Sequence, residues 1–461
     1  MSRKLSIPLN DEPEDLIKRY EQFLSGNGSG YFDVEELGNI VDYYLRHGST
    51  SESTRALELG FKLHPRSNEL KIKRAKIYLV AGDGKKAFRI LDSLTDSGDG
   101  ELLFLKVEAL LKIGHSNEAL KLAQQILDEE TEDVDNFALD LAYIFISQLE
   151  FESAIEFLTQ GDEFSNDNID LLYELAFCYE HTNQYALAME TYDRIIKIDS
   201  FSAEAWFNLG QIYFMYLDFQ NAIDAYDFAL AINQDDMLTC LQKAHAHFQL
   251  GDYEDAIESY TDYAKSGIDG WQTSLFIGEC YEKLERFDEA IVHYQNSLLE
   301  KTDNFEALTG IGICMLEKEQ YEDSLIYIYK ALELNEKAAD AWVYLAEALS
   351  GLEDLENALI AYLKSIEIDP NQPDTLMAVA NICMDNNEYE TALNYYLIAY
   401  EQDESLEFVE LFIAIAFYKT LNISASKLYL SKALAKSVDA MKLFKEVCPD
   451  AEVDDLIVEN E

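Results

Sequence analysis

The sequence is short of basic residues, cysteine and long apolar runs. Its 461 residues include 35 Lys and Arg against 88 Asp and Glu, so the formal net charge is −53. Nucleic-acid binding depends on Lys and Arg that release counterions from phosphates, so this balance argues against a protein that binds nucleic acid through its overall charge. Because 48% of the residues are hydrophobic, the chain is also too apolar for a disordered protein.

Cysteine usage and the N-terminal residues bear on the compartment. The six cysteines form no C-x-x-C pair and no Cys/His cluster, so neither a disulfide scaffold nor a zinc site is indicated. Pro8 and several acids follow the first basic residues before any apolar signal region can form. The longest apolar stretch, 411–418, is far shorter than the ~20 residues that cross a bilayer. We therefore expect a cytoplasmic protein with no membrane contact.

The middle of the chain has a helical periodicity. Small and apolar residues recur at spacings of three and four, in two groups: Trp206, Leu209, Gly210 and Tyr213, then Ala222, Tyr226 and Ala229. Such spacings place each group on one helical face. The segment therefore predicts two amphipathic helices joined by a turn near residues 217–219.

The same pattern returns about every 34 residues. It resembles the tetratricopeptide repeat, with its W-x-x-L-G-x-x-Y and A-x-x-x-F signature. The predicted repeat starts are residues 34, 68, 100, 135, 169, 203, 237, 271, 305, 339, 373 and 407. The resemblance implies an all-α fold: an α-solenoid of twelve stacked helix-turn-helix repeats over residues 34–440, wound into a right-handed superhelix. Its concave surface, lined by the first helix of each repeat, is where family members bind peptides.

Two terminal segments lie outside the predicted array. Residues 1–33 contain a short amphipathic helix and a Gly/Ser linker at 25–30, and residues 441–461 contain the end of a capping helix and an acidic tail. The N-terminal helix caps the first repeat, or it binds a partner or the groove. These segments are also too short for an enzyme domain of about 100 residues.

No motif for catalysis, a cofactor or a metal stands out. The stretch Gly82 to Lys86 lacks the Ser or Thr of a phosphate loop. His245 and His247 are two residues apart on a predicted helix and point to different faces rather than to one metal ion. Cys178, Cys280 and Cys314 share one repeat position, which favours packing between helices over reactivity. We expect no enzyme, no cofactor and no metal site.

The resemblance also implies which residues face the groove: positions 2, 5, 9, 12 and 13 of each first helix. In repeats 4 to 7 these positions hold mostly apolar and aromatic residues, which suit a protein-binding surface: Leu139, Tyr143, Ile146, Tyr173, Phe177, Phe207, Gln211, Phe214, Met215, Leu241, His245 and Phe248. Alternatively, some of them, especially Phe214 and Phe248, pack partly against a neighbouring repeat.

In repeats 8 to 11 the groove positions are acidic instead. They hold Glu279, Glu282, Glu306, Glu317, Asp340, Glu347, Asp374 and Asp385, with Lys283 as the one base. Together the two zones predict a partner with an apolar part and a basic part. The alternative is that these acids only keep a long helical array soluble.

Residues 55–89 run against the overall charge, with ten Lys and Arg and three acids. The predicted basic patch consists of Lys71, Lys73, Arg74, Lys76, Lys85, Lys86 and Arg89. Three roles stay open: contact with an acidic partner, salt-sensitive self-association with the acidic half of another copy, or a solvated surface without function.

The sequence therefore favours a non-catalytic scaffold or adaptor that binds a partner peptide or helix in its groove, with no nucleic acid or membrane involved. An alternative is an acidic assembly chaperone or nucleic-acid mimic that shields basic client proteins with its charge. Salt separates the two, because apolar binding persists at high ionic strength and charge shielding fades.

Overall fold

The computed structural model describes residues 14–26, 30–94, 100–265, 267–268, 270–437 and 439–451. In that part of the chain every regular element is an α-helix, which confirms the predicted fold class. Linker residues 27–29 and tail residues 452–461 lie outside the described residues. The chain divides into two compact units, Met1–Gln234 and Asp235–Glu461.

The first unit contains helices α1 to α13. Their bounds are α1 Glu14–Leu24, α2 Val34–Arg46, α3 Thr50–Leu63, α4 Asn68–Val80, α5 Gly84–Asp92, α6 Gly100–Lys112, α7 Ser116–Glu129, α8 Val134–Ser147, α9 Phe151–Phe164, α10 Ile169–His181, α11 Tyr185–Ile198, α12 Ala203–Met215 and α13 Phe219–Ile232.

The second unit contains helices α14 to α26. Their bounds are α14 Met237–Leu250, α15 Tyr253–Ala264, α16 Gly270–Lys283, α17 Phe287–Glu300, α18 Phe305–Glu317, α19 Tyr321–Leu334, α20 Ala339–Gly351, α21 Leu355–Ile368, α22 Pro373–Asp385, α23 Tyr389–Gln402, α24 Val409–Lys419, α25 Ile423–Lys436 and α26 Ala440–Val447.

Consecutive helices pack as antiparallel pairs, from α2 with α3 to α24 with α25, so the described residues hold twelve repeats. The first helix of each pair begins within two residues of the start that the sequence pattern predicts. Several neighbouring first helices within a unit also touch, as α8 does α10 and as α18 does α20. The first helices of these successive repeats therefore form a shared surface in those parts of each unit.

The turn inside each pair has one recurring backbone conformation. The residue at position 15 of each repeat has a positive φ: Gly48, Gly82, Gly114, Leu149, Asn183, Leu217, Gly251, Glu285, Glu319, Glu353, Asn387 and Leu421. In repeat 6 the N–H of Leu217 donates to Phe214 O and the N–H of Asp218 donates to Tyr213 O, both at 3.0 Å. These bonds satisfy carbonyls at the helix end and reverse the chain.

Small residues let the two helices of a pair approach closely. A Cβ added at Gly210 would lie 2.6 Å from the ring of Tyr226, and one added at Gly278 would lie 2.7 Å from the ring of Tyr294. Both tyrosines are fully buried. The tyrosine at position 24 thus fills the space that a missing side chain at position 8 leaves.

Both ends of the array are covered by a flanking helix. On α1, Tyr20 is buried and packs edge-on against Phe32 at a ring distance of 5.9 Å. On α26, Phe444 is buried and packs against Tyr418 at 5.7 Å. The N-terminal helix therefore lies on the first repeat in this structure, as a cap does.

Candidate binding groove

In the first unit, helices α8, α10 and α12 carry the aromatic groove residues. Phe177 is 37% exposed and Met215 is 57% exposed, while Gln211 is exposed as well. The remaining aromatic members are half-buried: Tyr143, Tyr173, Phe207 and Phe214. We call Tyr143, Tyr173, Phe177, Phe207, Phe214 and Met215 the apolar band.

One predicted groove residue does not belong to this surface. Leu139 lies in the hydrophobic core with Ala138 and Phe157 and is only 8% exposed, so it offers little surface to a ligand. The residue at position 5 is therefore not equally buried in every repeat. Tyr173 and Phe207, which occupy this position in repeats 5 and 6, have larger side chains and remain partly accessible.

Members of the apolar band rest on aromatic residues of the same region. Phe177 packs on the ring of His181 at 4.0 Å and against Phe151 at 6.1 Å. Phe214 packs edge-on against Phe219 of its own repeat at 5.3 Å. Neighbouring aromatic rings therefore hold side chains of the apolar band in place before any partner binds.

Two further exposed leucines lie in the turns of repeats 4 and 6. Leu149 and Leu217, both at position 15, are each 73% exposed. They adopt the left-handed conformation that costs a non-glycine residue about 1–2 kcal/mol. We call them the turn leucines. The predicted groove positions omit them, although a leucine where other repeats use Gly, as in Gly251, is a signal that the sequence contains.

The charge around the apolar band is almost entirely negative. Between residues 122 and 234 the sequence has 23 acids and only two bases, Arg194 and Lys197. The guanidinium of Arg194 is held by both carboxylate oxygens of Asp162, at 2.6 and 2.7 Å. Repeats 4 to 6, which carry the apolar band, are therefore strongly acidic as a whole.

In the second unit, α14 carries the next predicted groove residues, Leu241, His245 and Phe248, all half-buried. The phenol of Tyr260 bonds His245 Nδ1 at 2.7 Å, and the ring of Phe276 lies edge-on to the imidazole at 5.0 Å. Burial lowers the pKa of His245. Phe248 packs against Tyr253 of its own repeat at 5.5 Å.

Carboxylates on α16, α18 and α20 influence one another electrostatically. Burial and the charges of Glu282 and Glu306 raise the pKa of Glu279 to about 7. Burial raises the pKa of Glu347, and the charge of Glu317 adds to the effect. We call Glu279, Glu282, Glu306, Glu317 and Glu347 the carboxylate cluster.

Some groove side chains also bind the tyrosine at position 24. The phenol of Tyr192 donates to Glu180 at 2.6 Å, and the phenol of Tyr294 donates to Glu282 at 2.7 Å. Burial raises the pKa of both glutamates, and each bond opposes that rise. A glutamate at position 12 thus joins the two helices of its own repeat.

The predicted basic patch is only partly available at the surface. Lys73 is 9% exposed, and its ammonium lies 2.9 Å from Asp42 and 3.2 Å from Glu101. Burial alone would lower the pKa of Lys73, but these two charges outweigh it and raise the pKa. Lys76 lies 3.3 Å from the same two acids.

The rest of the patch divides into paired and exposed residues. The guanidinium of Arg74 stacks on the ring of Phe61 at 4.1 Å, and Lys71 bonds the side chain of Asn68 at 3.0 Å. Lys85, Lys86 and Arg89 are exposed, and Lys86 pairs with Asp83 at 2.6 Å. Fewer than the seven predicted residues therefore contribute to an exposed basic surface in this region.

The cysteines lie where the repeat pattern predicts packing. Cys178, Cys280 and Cys314 are fully buried. Burial raises the pKa of each of these thiols to about 12, which keeps them protonated and unreactive at neutral pH. Among the described residues, none of the helices has the length and apolar character needed to span a bilayer.

Comparison with known proteins assigns the repeats. Family models described as tetratricopeptide repeat match residues 145–212, 203–236, 241–307 and 316–373. No curated protein matches the chain.

Among solved structures, the chain is similar to MamA from Desulfovibrio magneticus RS-1, at 18% identity and a TM-score of 0.35 over 38% of this chain and 98% of that one. It is similar to pilF of Pseudomonas aeruginosa, at 15% identity and a TM-score of 0.42 over 46% of this chain and 97% of that one. It is also similar to a chain of the APC/C hetero-tetramer Cut9-Hcn1, at 13% identity and a TM-score of 0.40 over 87% of this chain and 98% of that one.

Proposed function

Because the chain is a tetratricopeptide repeat protein, we propose that it is a non-catalytic scaffold or adaptor that binds a partner protein on the surface of its first helices. The apolar band of repeats 4 to 6 carries this proposal. Phe177 and Met215 are both exposed, and the ring of Phe177 packs against that of Phe151. Exposed aromatic and methionine side chains held on a rigid surface are typical of binding hot spots.

The surroundings of the band define the chemistry of its partner. Apolar side chains of the partner would cover the rings of the band, and basic side chains beside them would meet the surrounding carboxylates. Arg194 is already paired with Asp162, so Lys197 is the one other base in residues 122–234 to set against the 23 acids. The proposed partner segment is therefore amphipathic, with apolar residues flanked by Lys or Arg.

The carboxylate cluster of the second unit supports a basic segment as well. Burial raises the pKa of Glu279, Glu282 and Glu347, and the charge of another member of the cluster adds to each rise, so the carboxylates repel one another when they are ionised. A partner cation would relieve this repulsion. Lys283 lowers the pKa of Glu279 and shows the effect of one nearby positive charge.

The test is capture of partners from cytosol by the immobilised full chain, at low and at high salt, with identification by mass spectrometry. The wild type is compared with a Phe177→Glu/Phe207→Glu variant, and Phe201→Glu serves as the matched control because Phe201 is exposed but lies in the loop between α11 and α12. Circular dichroism first establishes that all three chains have the same helix content.

The proposal predicts a defined partner that remains bound at high salt, is lost with the double variant and is retained by the control. Capture that is equal for the wild type and the double variant, with only basic proteins bound and only at low salt, would contradict it.

That second outcome would support the alternative function, an acidic chaperone or nucleic-acid mimic for basic clients. The net charge of −53 is the observation that favours this alternative. The cytoplasm stays the predicted compartment for either function.

A further inference from the structure

The turn that joins α14 and α15 brings an imidazole and two carboxylates together. The atoms of His247, Asp252 and Asp255 that can bind a metal all lie within 4.8 Å of one another. His247 is in the last turn of α14 and only 9% exposed, whereas both aspartates are exposed. The turn therefore brings one imidazole nitrogen, held in place by burial, close to two carboxylates that solvent can reach.

The backbone explains this proximity. Gly251, with φ of +91°, reverses the chain, and the N–H of Asp252 donates to His247 O at 3.0 Å. Asp255 follows three residues later, so it lies on the same face of α15, one turn along. His245, two residues before His247, instead bonds Tyr260 at 2.7 Å, and the two histidines are not a pair.

Repeats 6 and 10 show what this turn does with other residues. Where repeat 7 has Asp252 and Asp255, repeat 6 has Asp218 and Asn221, and repeat 10 has Asp354 and Asn357. In both of these repeats the aspartate caps the second helix and also accepts a bond from the asparagine side chain, at 2.8 and 2.7 Å.

Repeat 7 departs from this arrangement in two ways. The side chain of Asp252 makes no capping bond, and position 19 holds a second carboxylate in place of the amide. At position 11 it has His247, where repeats 5, 6 and 8 have Tyr179, Tyr213 and Tyr281. At position 19, Asp255 replaces the neutral asparagine that bonds the aspartate in repeats 6 and 10. At position 11, His247 replaces a tyrosine. Both replacements introduce a group that can bind a metal.

We propose that His247, Asp252 and Asp255 form a binding site for one divalent transition-metal cation of the zinc type. One imidazole nitrogen and two carboxylate oxygens suit Zn²⁺, and water can complete the coordination from the exposed side. Ca²⁺ and Mg²⁺ prefer all-oxygen sites with more ligands, so a site that includes an imidazole selects against them.

The bound cation ties the end of α14 to the start of α15. Because the metal binds only when this turn is formed, it stabilises the folded second unit in proportion to its occupancy. It also neutralises two neighbouring carboxylates. The site is structural in this proposal, and its three residues belong to the second unit, whereas the apolar band belongs to the first.

The test is titration of the EDTA-stripped full chain with Zn²⁺ in excess Mg²⁺, because Mg²⁺ occupies nonspecific sites on a surface this acidic. His247→Tyr and Asp255→Asn install residues that other repeats have at these positions, so both variants are expected to fold. Asp218→Asn removes the matched carboxylate of repeat 6 and is the control. Substitution with Co²⁺ reports the coordination through its visible absorption.

The wild type and the control are expected to bind one equivalent of Zn²⁺ and to gain thermal stability from it. Each of the two ligand variants is expected to bind roughly tenfold or more weakly and to lose the Co²⁺ spectrum and the Zn²⁺-dependent rise in Tm. Equal binding by the wild type and both variants, or zinc binding that excess Mg²⁺ abolishes, would overturn the proposal. If His247→Tyr fails to fold, Asp255→Asn decides alone.

Discussion

Repeats 5 and 8 share one groove contact and differ in the next. Both have a glutamate at position 12, Glu180 and Glu282, and each accepts a hydrogen bond from the position-24 tyrosine of its own repeat. At position 9, repeat 5 has Phe177 and repeat 8 has Glu279. The bond between the position-24 tyrosine and the position-12 glutamate recurs, so we assign it to the stability of the fold. The residue at position 9 has no part in that bond, and it makes the surface apolar in repeat 5 and acidic in repeat 8.

The largest expected effect comes from exchanging the residue at position 9. Phe177→Glu gives repeat 5 the residue that repeat 8 has, so the repeat should still fold. It places a charge where we propose that an apolar partner binds, and affinity for that partner should fall roughly 100-fold, as for a hot-spot residue. Isothermal titration with the captured partner segment measures this. An unchanged Kd, with Phe201→Glu also unchanged, would place the binding surface elsewhere.

A second effect concerns Glu279, whose pKa is raised from the ordinary glutamate value of 4.5 to about 7. The folded state therefore binds more protons than the unfolded state between these values, and stability falls as pH rises through this window. Above it the penalty is complete, so Glu279→Gln should stabilise the chain by about 1–3 kcal/mol at pH 8 and by little at pH 4.5.

Urea unfolding of the wild type and the variant at the two pH values checks this. A variant that is less stable at pH 8 would show that the Glu279 carboxylate is favourable in the folded state and would remove the repulsion argument for the carboxylate cluster.

A third prediction tests the shared contact. Tyr192→Phe and Tyr294→Phe each remove a hydrogen bond to a half-buried glutamate, so each should cost about 1.5–3 kcal/mol of stability. Neither should change the affinity for a partner of the apolar band by more than about twofold if the contact is structural. Chemical unfolding and titration with the partner give the two numbers. A loss of affinity with no loss of stability would assign this contact to binding.

The smallest expected effect lies in the turns. Leu217→Gly relieves a left-handed conformation and should stabilise the first unit by up to about 1 kcal/mol, and Gly251→Ala introduces one and should destabilise the second by about the same. Thermal unfolding measures both. If Leu217→Gly also weakens partner binding, Leu217 contributes to the apolar surface. If Leu217→Gly is less stable than the wild type, the contacts of the leucine side chain outweigh the strain of its left-handed backbone.

Periodicity in the sequence is sufficient to predict the fold. Spacings of three and four around Trp206 and Ala222 reflect faces that must be buried, and the pattern returns at intervals set by the length of a two-helix unit. Position in a repeat indicates the face of a residue but not its depth, which is why Leu139 was expected in the groove and lies in the core.

The periodicity of the sequence does not reveal which residues of different helices contact one another. The burial of Lys73 depends on Asp42 and Glu101, which come from two other repeats. The proximity of His247 to Asp252 depends on the turn geometry at Gly251. Spacing on a single helix, as used for His245 and His247, therefore could not find the carboxylates that approach His247 from the next helix.

The proposed function requires that the apolar band of the first unit bind a partner segment with apolar and basic residues. Photo-cross-linking tests it most directly, with a benzophenone amino acid introduced in place of Phe177 and, as a control, in place of Phe201. We expect one cross-linked partner from the Phe177 position, joined through a segment in which apolar residues adjoin Lys or Arg, and no such product from the control. Cross-links from the Phe201 position alone, or to segments without apolar residues, would contradict it.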